Sequence, residues 1–150
     1  GLPLVEKVVD EAIAAVCAEA VGCMKVLNEA TIAYALQRKQ FGQPIANFQV
    51  LQHRMVDMFM AAEQATSMTY MVTLKLEEPD RQRKLAASGA KVQIGKSARL
   101  ISQDAVQIHG GMGMTDELNV GHFFKRLTMI EAQFGNTDWH LRRYTELSNR

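Results

Sequence analysis

FQVLQHRMVDMFMAAEQATSMTYMVTLKL, residues 48–76, decides the fold class. Leu51, Met55, Met58, Ala62, Ala65, Thr69, Val72 and Leu76 step by four and three without a break. That spacing is an a/d seam, the pattern of a helix packed in an antiparallel bundle or coiled coil. Methionine recurs along it and serves as adaptable core filler. Upstream, from about Leu4 to Gln37, an alanine-rich run repeats apolar residues at Val8, Ala12, Val16, Ala20, Cys23, Leu27, Ala30 and Tyr34, which predicts a first helix. It ends in Arg38-Lys39, cations suited to a helix C-terminus, and Gly42 and Pro44 forbid its continuation.

Downstream, Glu77-Glu78-Pro79-Asp80 breaks the pattern and Asp80 is placed to cap a third helix. That helix carries Ala87, Ala90, Ile94, Ala98, Ile101, Ala105 and Ile108 on one face, with Lys84, Lys91, Lys96 and Arg99 read as a solvated face. A short helix at roughly Asp116–Leu127 and a last one at about Thr137–Leu147, capped by Asn136, Thr137 or Asp138, complete the chain. No Asn-Gly or Asp-Gly hairpin signal occurs. The expected fold is all-α: an up-down-up-down four-helix bundle with a short extra helix before the last.

The 150 residues have the length of one domain and can bury a substantial core. With 47% hydrophobic and 22% charged residues the chain reads as globular, and a net charge of +1 argues for neither a nucleic-acid nor a membrane-surface partner. No apolar run approaches a membrane span. Cys17 and Cys23 lie on different sides of the first predicted helix without metal-like spacing, and read as reduced thiols of a cytoplasmic protein. The start at Gly1-Leu2-Pro3 reads as a cut from a longer chain.

Two motifs carry chemistry. Gln107-Ile108-His109-Gly110-Gly111-Met112-Gly113-Met114 runs a helix into adjacent glycines. Backbone N–H groups at that turn, with a new helix opening near Thr115-Asp116, offer an anion-binding concavity; a plain helix C-cap is the alternative. Arg38 and Phe41, at a helix end and tight turn, offer a guanidinium for phosphate and a ring for stacking, or simply a C-terminal cation and a buried ring. Gln107 could bond a ligand through its amide. His53, His109, His122 and His140 show neither metal-ligand spacing nor a nucleophile partner.

Taken together, RKQFGQPI (residues 38–45) and QIHGGMGMT (residues 107–115), with Phe48-Gln49-Val50-Leu51-Gln52 and Asp104-Ala105-Val106-Gln107, resemble the C-terminal domain of the acyl-CoA dehydrogenases. The resemblance runs from the first helix to about Arg142. It implies a protein whose other domains, one helical and one β, precede this bundle. It implies oxidation of acyl-CoA thioesters at the α,β-carbons with FAD as hydride acceptor, commonly reoxidised by an electron-transfer flavoprotein. The bundle would build a tetramer and reach the FAD of a neighbouring subunit. Arg38 would contact the pyrophosphate, Phe41 and Gln49 the adenine side, and Gln107, Gly110 and Gly111 the diphosphate-ribose.

The chain also departs from the pattern. Where the family carries Tyr-Glu-Gly-Thr, with a catalytic glutamate, this chain has Gln133-Phe134-Gly135-Asn136-Thr137. A subset places its glutamate on the first helix, at a position that falls here on Ala12; Glu11 is one residue, about 100°, away. Asp138 is a further candidate, with helix capping its simpler role. The usual Arg-Asp-Ala-Arg is altered to Lys125-Arg126-Leu127-Thr128. The catalytic residue is left unassigned. A non-catalytic subunit of a hetero-oligomer, or a helical association module, remains the alternative.

Overall fold

Long apolar seams rich in alanine turn most of the chain into helix. The computed structural model describes residues 1–149. Its helices are α1 (Leu2–Gln37), α2 (Gln49–Leu74), α3 (Asp80–His109), α4 (Val120–Ala132) and α5 (Thr137–Ser148). Strands β1 (Lys39–Gln40) and β2 (Gln43–Pro44) pair antiparallel, followed by a 3-10 turn at Ile45–Asn47; another 3-10 turn, Gly110–Met114, follows α3. The helical bundle expected from the sequence is present, with α4 as the short extra helix.

Helix α3 is the axis, touching α1, α2, α4 and α5. All seven predicted seam residues, from Ala87 to Ile108, are buried. Small side chains let its neighbours approach closely: a Cβ on Gly95 would collide with the Thr137 hydroxyl. Each large side chain removed from water here, such as Leu27, Ile101 or Leu127, contributes about 1.5–3 kcal/mol.

Several expectations are corrected. The buried stripe of α1 runs through Asp10, Ile13, Cys17, Ala20, Met24, Leu27 and Thr31, while Val8 is exposed. An apolar-only reading skips Asp10 and Thr31 and drifts by one residue. Cys17 and Cys23 lie on different sides of α1, as expected, yet both are buried, because α2, α3 and α4 all pack on α1; both are free thiols. Burial pushes the Cys17 thiol up to about 12, which leaves it unreactive.

Asp80 does not cap α3. It occupies the helix's first turn, and its carboxylate pairs with Arg83 and Lys84 instead. Helix α4 begins at Val120 rather than Asp116, since the chain first spends Gly110–Met114 in a 3-10 turn. A hairpin exists despite the absence of Asn-Gly or Asp-Gly, because Phe41 and Gly42 both adopt positive φ, 53° and 78°.

Candidate functional site

Two tight corners interrupt the bundle, and each is a Phe-Gly pair. The first lies where α1 ends. Its last turn closes through Arg38 N–H to the Tyr34 carbonyl at 2.8 Å, and the hairpin returns through Ile45 N–H to the Arg38 carbonyl at 2.8 Å. The hairpin displays Phe41 with 92% of its surface exposed, its ring edge-on to Phe48 at 6.1 Å. Arg38 is exposed and belongs to none of the ion pairs among the described residues.

The end of α3 meets this corner. Tyr34 stacks on His109 with ring centroids 4.3 Å apart and its hydroxyl donates to the His109 carbonyl at 3.4 Å. Arg54 of α2 bonds Asp104 of α3 at 3.2 Å. One end of the bundle therefore gathers the Arg38–Phe41 hairpin, the exposed first residue of α2 (Gln49), the exposed Gln107, and the exposed glycines 110 and 111. Gly110 needs its left-handed φ of 60° to end α3. Gly113 is required for another reason, since a Cβ there would sit 2.9 Å from the Val106 carbonyl. No helix opens at Thr115-Asp116; the Thr115 hydroxyl donates to the Met112 carbonyl instead. The expected concavity is thus a glycine turn without a helix N-terminus behind it.

The second corner, Gln133–Asn136, joins α4 to α5. Phe134 and Gly135 take φ of 57° and 103°, and Phe134 is 44% exposed. Its support is buried. Lys91, 1% exposed, donates from Nζ to the carbonyls of Ile130, Glu131 and Gly135 at 2.7, 2.9 and 3.0 Å. The solvated face expected for Lys91 is therefore wrong. It falls four residues after Ala87 and three before Ile94, inside the apolar arc of α3. Burial holds its pKa below the usual lysine value.

His140 is fully buried, with Nε2 3.0 Å from the Phe134 carbonyl and Nδ1 3.3 Å from the Ser88 hydroxyl. Burial, reinforced by the charges of Lys91 and Arg143 and opposed by the bond to Phe134, pushes its pKa down to about 4. Asn136 caps α5 by accepting from Trp139 N–H at 2.9 Å. Glu131 accepts from Thr137 N–H at 3.0 Å; burial resists its ionisation, but the bonds from Thr137 and the charges of Lys91 and Arg99 together outweigh that and lower its pKa. A cleft of about 580 Å³ opens beside the corner, lined in part by Lys96, Arg99, Asn136 and Asp138.

The family model describing the acyl-CoA dehydrogenase C-terminal domain matches residues 1–146. The chain belongs to the acyl-CoA dehydrogenase C-terminal domain family. It is 33% identical over 123 residues to the probable acyl-CoA dehydrogenase YngJ of Bacillus subtilis (strain 168), a match covering 82% of this chain and 32% of the relative. Among solved structures, butyryl-CoA dehydrogenase from Megasphaera elsdenii aligns over 100% of this chain and 39% of its own, with TM-score 0.92 and 26% identity. PigA, in a structure with FAD and proline, aligns over 94% of this chain and 37% of its own, with TM-score 0.86 and 26% identity. The chain spans about a third of the length of these relatives.

Within this acyl-CoA dehydrogenase domain, the predicted site residues lie at the end of the bundle that carries the first corner, and the Phe134 departure lies at the second. Gly95, against Thr137, and His109, against Tyr34, are separated by fourteen residues of α3, about 21 Å at 1.5 Å per residue. Glu11 is exposed, 4.0 Å from Lys7. Asp138 is exposed in the first turn of α5, while Asn136 does the capping. The sequence placed Lys91 on a solvated face and gave His140 no role. The legible signal was the position of Lys91 within the apolar arc; none marked His140. Among the described residues no helix is long and apolar enough to cross a membrane.

Proposed function

We propose that this chain is the C-terminal domain of an FAD-dependent dehydrogenase acting on acyl-CoA thioesters at the α,β-carbons. The observation that carries the reading is the gathering of the Arg38–Phe41 hairpin, Gln49 and the Gln107–Gly111 turn at one end of a domain of this family. The residues fit the cofactor chemically. An exposed guanidinium without a carboxylate partner among the described residues suits a pyrophosphate, and an exposed ring held at positive φ suits stacking on adenine. Gln107, Gly110 and Gly111 would hold the diphosphate-ribose, and Gln49 the adenine side. FAD supplies the hydride acceptor; these side chains bind and orient it.

In the full-length protein, Arg38→Gln and Phe41→Ala should retain the wild-type helical circular dichroism while co-purifying flavin falls several-fold. A full-length wild-type protein that is colourless where its relatives hold FAD overturns the proposal.

The exposed side chains Val56, Phe59, Met60, Tyr70 and Leu74 on the outer side of α2 favour association with neighbouring subunits, and an electron-transfer flavoprotein is the partner that would reoxidise the flavin. The protein is cytoplasmic in this reading. The 150 residues alone should fold, exceed monomer mass by light scattering, retain little flavin and fail to turn over an acyl-CoA.

A second reading rests on Phe134, which cannot accept a proton. The chain would then come from a non-catalytic subunit that assembles with an active partner and lends it FAD contacts. Acyl-CoA-dependent flavin bleaching by the lone full-length homo-oligomer excludes it.

A further inference from the structure

The second corner is held by side chains that the proposed cofactor contacts do not use. A left-handed aromatic residue persists only where its surroundings over-determine the backbone, and two sets of hydrogen bonds do so here. The Lys91 ammonium has three donors, and all three are spent on carbonyls of residues 130, 131 and 135. Two of those carbonyls are orphans of the last turn of α4, so the charge also sits at the negative end of a helix.

From the α5 side, a directed chain of hydrogen bonds reaches the same corner. Asp10, fully buried, accepts from Arg83 at 3.1 Å and from Arg143 at 3.2 Å. Arg143 donates to the Ser88 hydroxyl at 3.3 Å. The Phe134 carbonyl can only accept, so Nε2 of the neutral imidazole carries the proton and donates to it, which leaves Nδ1 to accept from the Ser88 O–H. A neutral imidazole can fill both roles in one tautomer only, so the chain also fixes the protonation pattern.

We infer that Lys91 and His140 are positioning residues for the side chain at position 134: together they bury the corner's carbonyls and leave that side chain displayed at the surface in one orientation. The inference rests on the proposed function in placing position 134 at the acyl-thioester. There Phe134 is a fixed apolar wall, and its orientation belongs to Lys91 and His140 rather than to the ligand.

The test is fluorine NMR of the full-length protein labelled with 4-fluorophenylalanine, with the Phe134 line assigned by Phe134→Leu. The wild type should give one narrow Phe134 line. Lys91→Met and His140→Leu should broaden or split that line while the Phe41 line stays unchanged, which a general loss of stability would not produce. His140→Gln, whose amide places a donor where Nε2 stood, should restore the narrow line. A narrow, unshifted Phe134 line in His140→Leu overturns the inference, and so does one in Lys91→Met. Should Lys91→Met fail to fold, the contrast between His140→Leu and His140→Gln decides alone, and equal spectra overturn the inference. Titrating butyryl-CoA into the wild type separates the two layers: a Phe134 line that does not move removes position 134 from the thioester site, while the variant spectra still judge the positioning.

Discussion

The two Phe-Gly corners both turn through positive φ, 53° and 78° at Phe41-Gly42 and 57° and 103° at Phe134-Gly135, yet they are held in opposite ways. The hairpin is closed by backbone hydrogen bonds among neighbours, from Arg38 to Ile45, and nothing lies within 4 Å of where a Gly42 side chain would stand. The α4–α5 corner is held by Lys91, Ser88 and His140, and a Cβ on Gly135 would come within 2.7 Å of the Trp139 ring. Local closure leaves a ring free to meet a ligand. Tertiary closure makes the corner part of the core, sensitive to any change in its supports.

The largest break should come from Lys91→Ala. It leaves three carbonyls without their donor and a cavity in α3, at a cost of about 3–4 kcal/mol. For a domain of this size that lowers the melting temperature by roughly 10 °C, read by thermal circular dichroism. The same substitution at Lys96, which is exposed, should move it little.

Acid should loosen the second corner and spare the first. The native His140 imidazole takes its proton only near pH 4, whereas the unfolded one takes it near its ordinary value of 6.5. The unfolded state therefore binds the proton first. Stability from this group is complete above about pH 6.5 and is lost as the pH falls from there through 4, by up to about 3 kcal/mol. Urea unfolding between pH 7 and 4 should show this loss in the wild type and a shallower slope in His140→Gln.

The glycines sharpen the contrast directly. Gly135→Ala should cost about 2–3 kcal/mol, from left-handed strain plus contact with Trp139 and His140. Gly42→Ala, strained but unobstructed, should cost about 1 kcal/mol. Equal midpoints for the two in urea would dissolve the distinction between local and tertiary closure.

The smallest effect is expected at Phe41→Gly. Glycine accepts positive φ without strain and the ring is exposed, so stability should change by less than about 1 kcal/mol. Flavin retention in the full-length protein should nevertheless drop.

The sequence by itself determined the helices, the bundle and the residues of the hairpin corner. Their signals are local: the three-and-four spacing of α2 and α3, the cations and Gly42 that stop α1, and the double glycine that stops α3. Arg38, Phe41, Gly110 and Gly111 could be named because each stands at a break in a periodic pattern. Tertiary structure alone decided which charged and polar groups lie inside. Asp10 finds Arg83 seventy-three residues on and Arg143 one hundred and thirty-three residues on, and Lys91 finds Gly135 forty-four residues on. A charge on a helix is buried or solvated according to whether distant groups satisfy it once it leaves water. No spacing within α1 or α3 encodes those partners, so the structure turned a presumed solvated lysine into the support of the second corner.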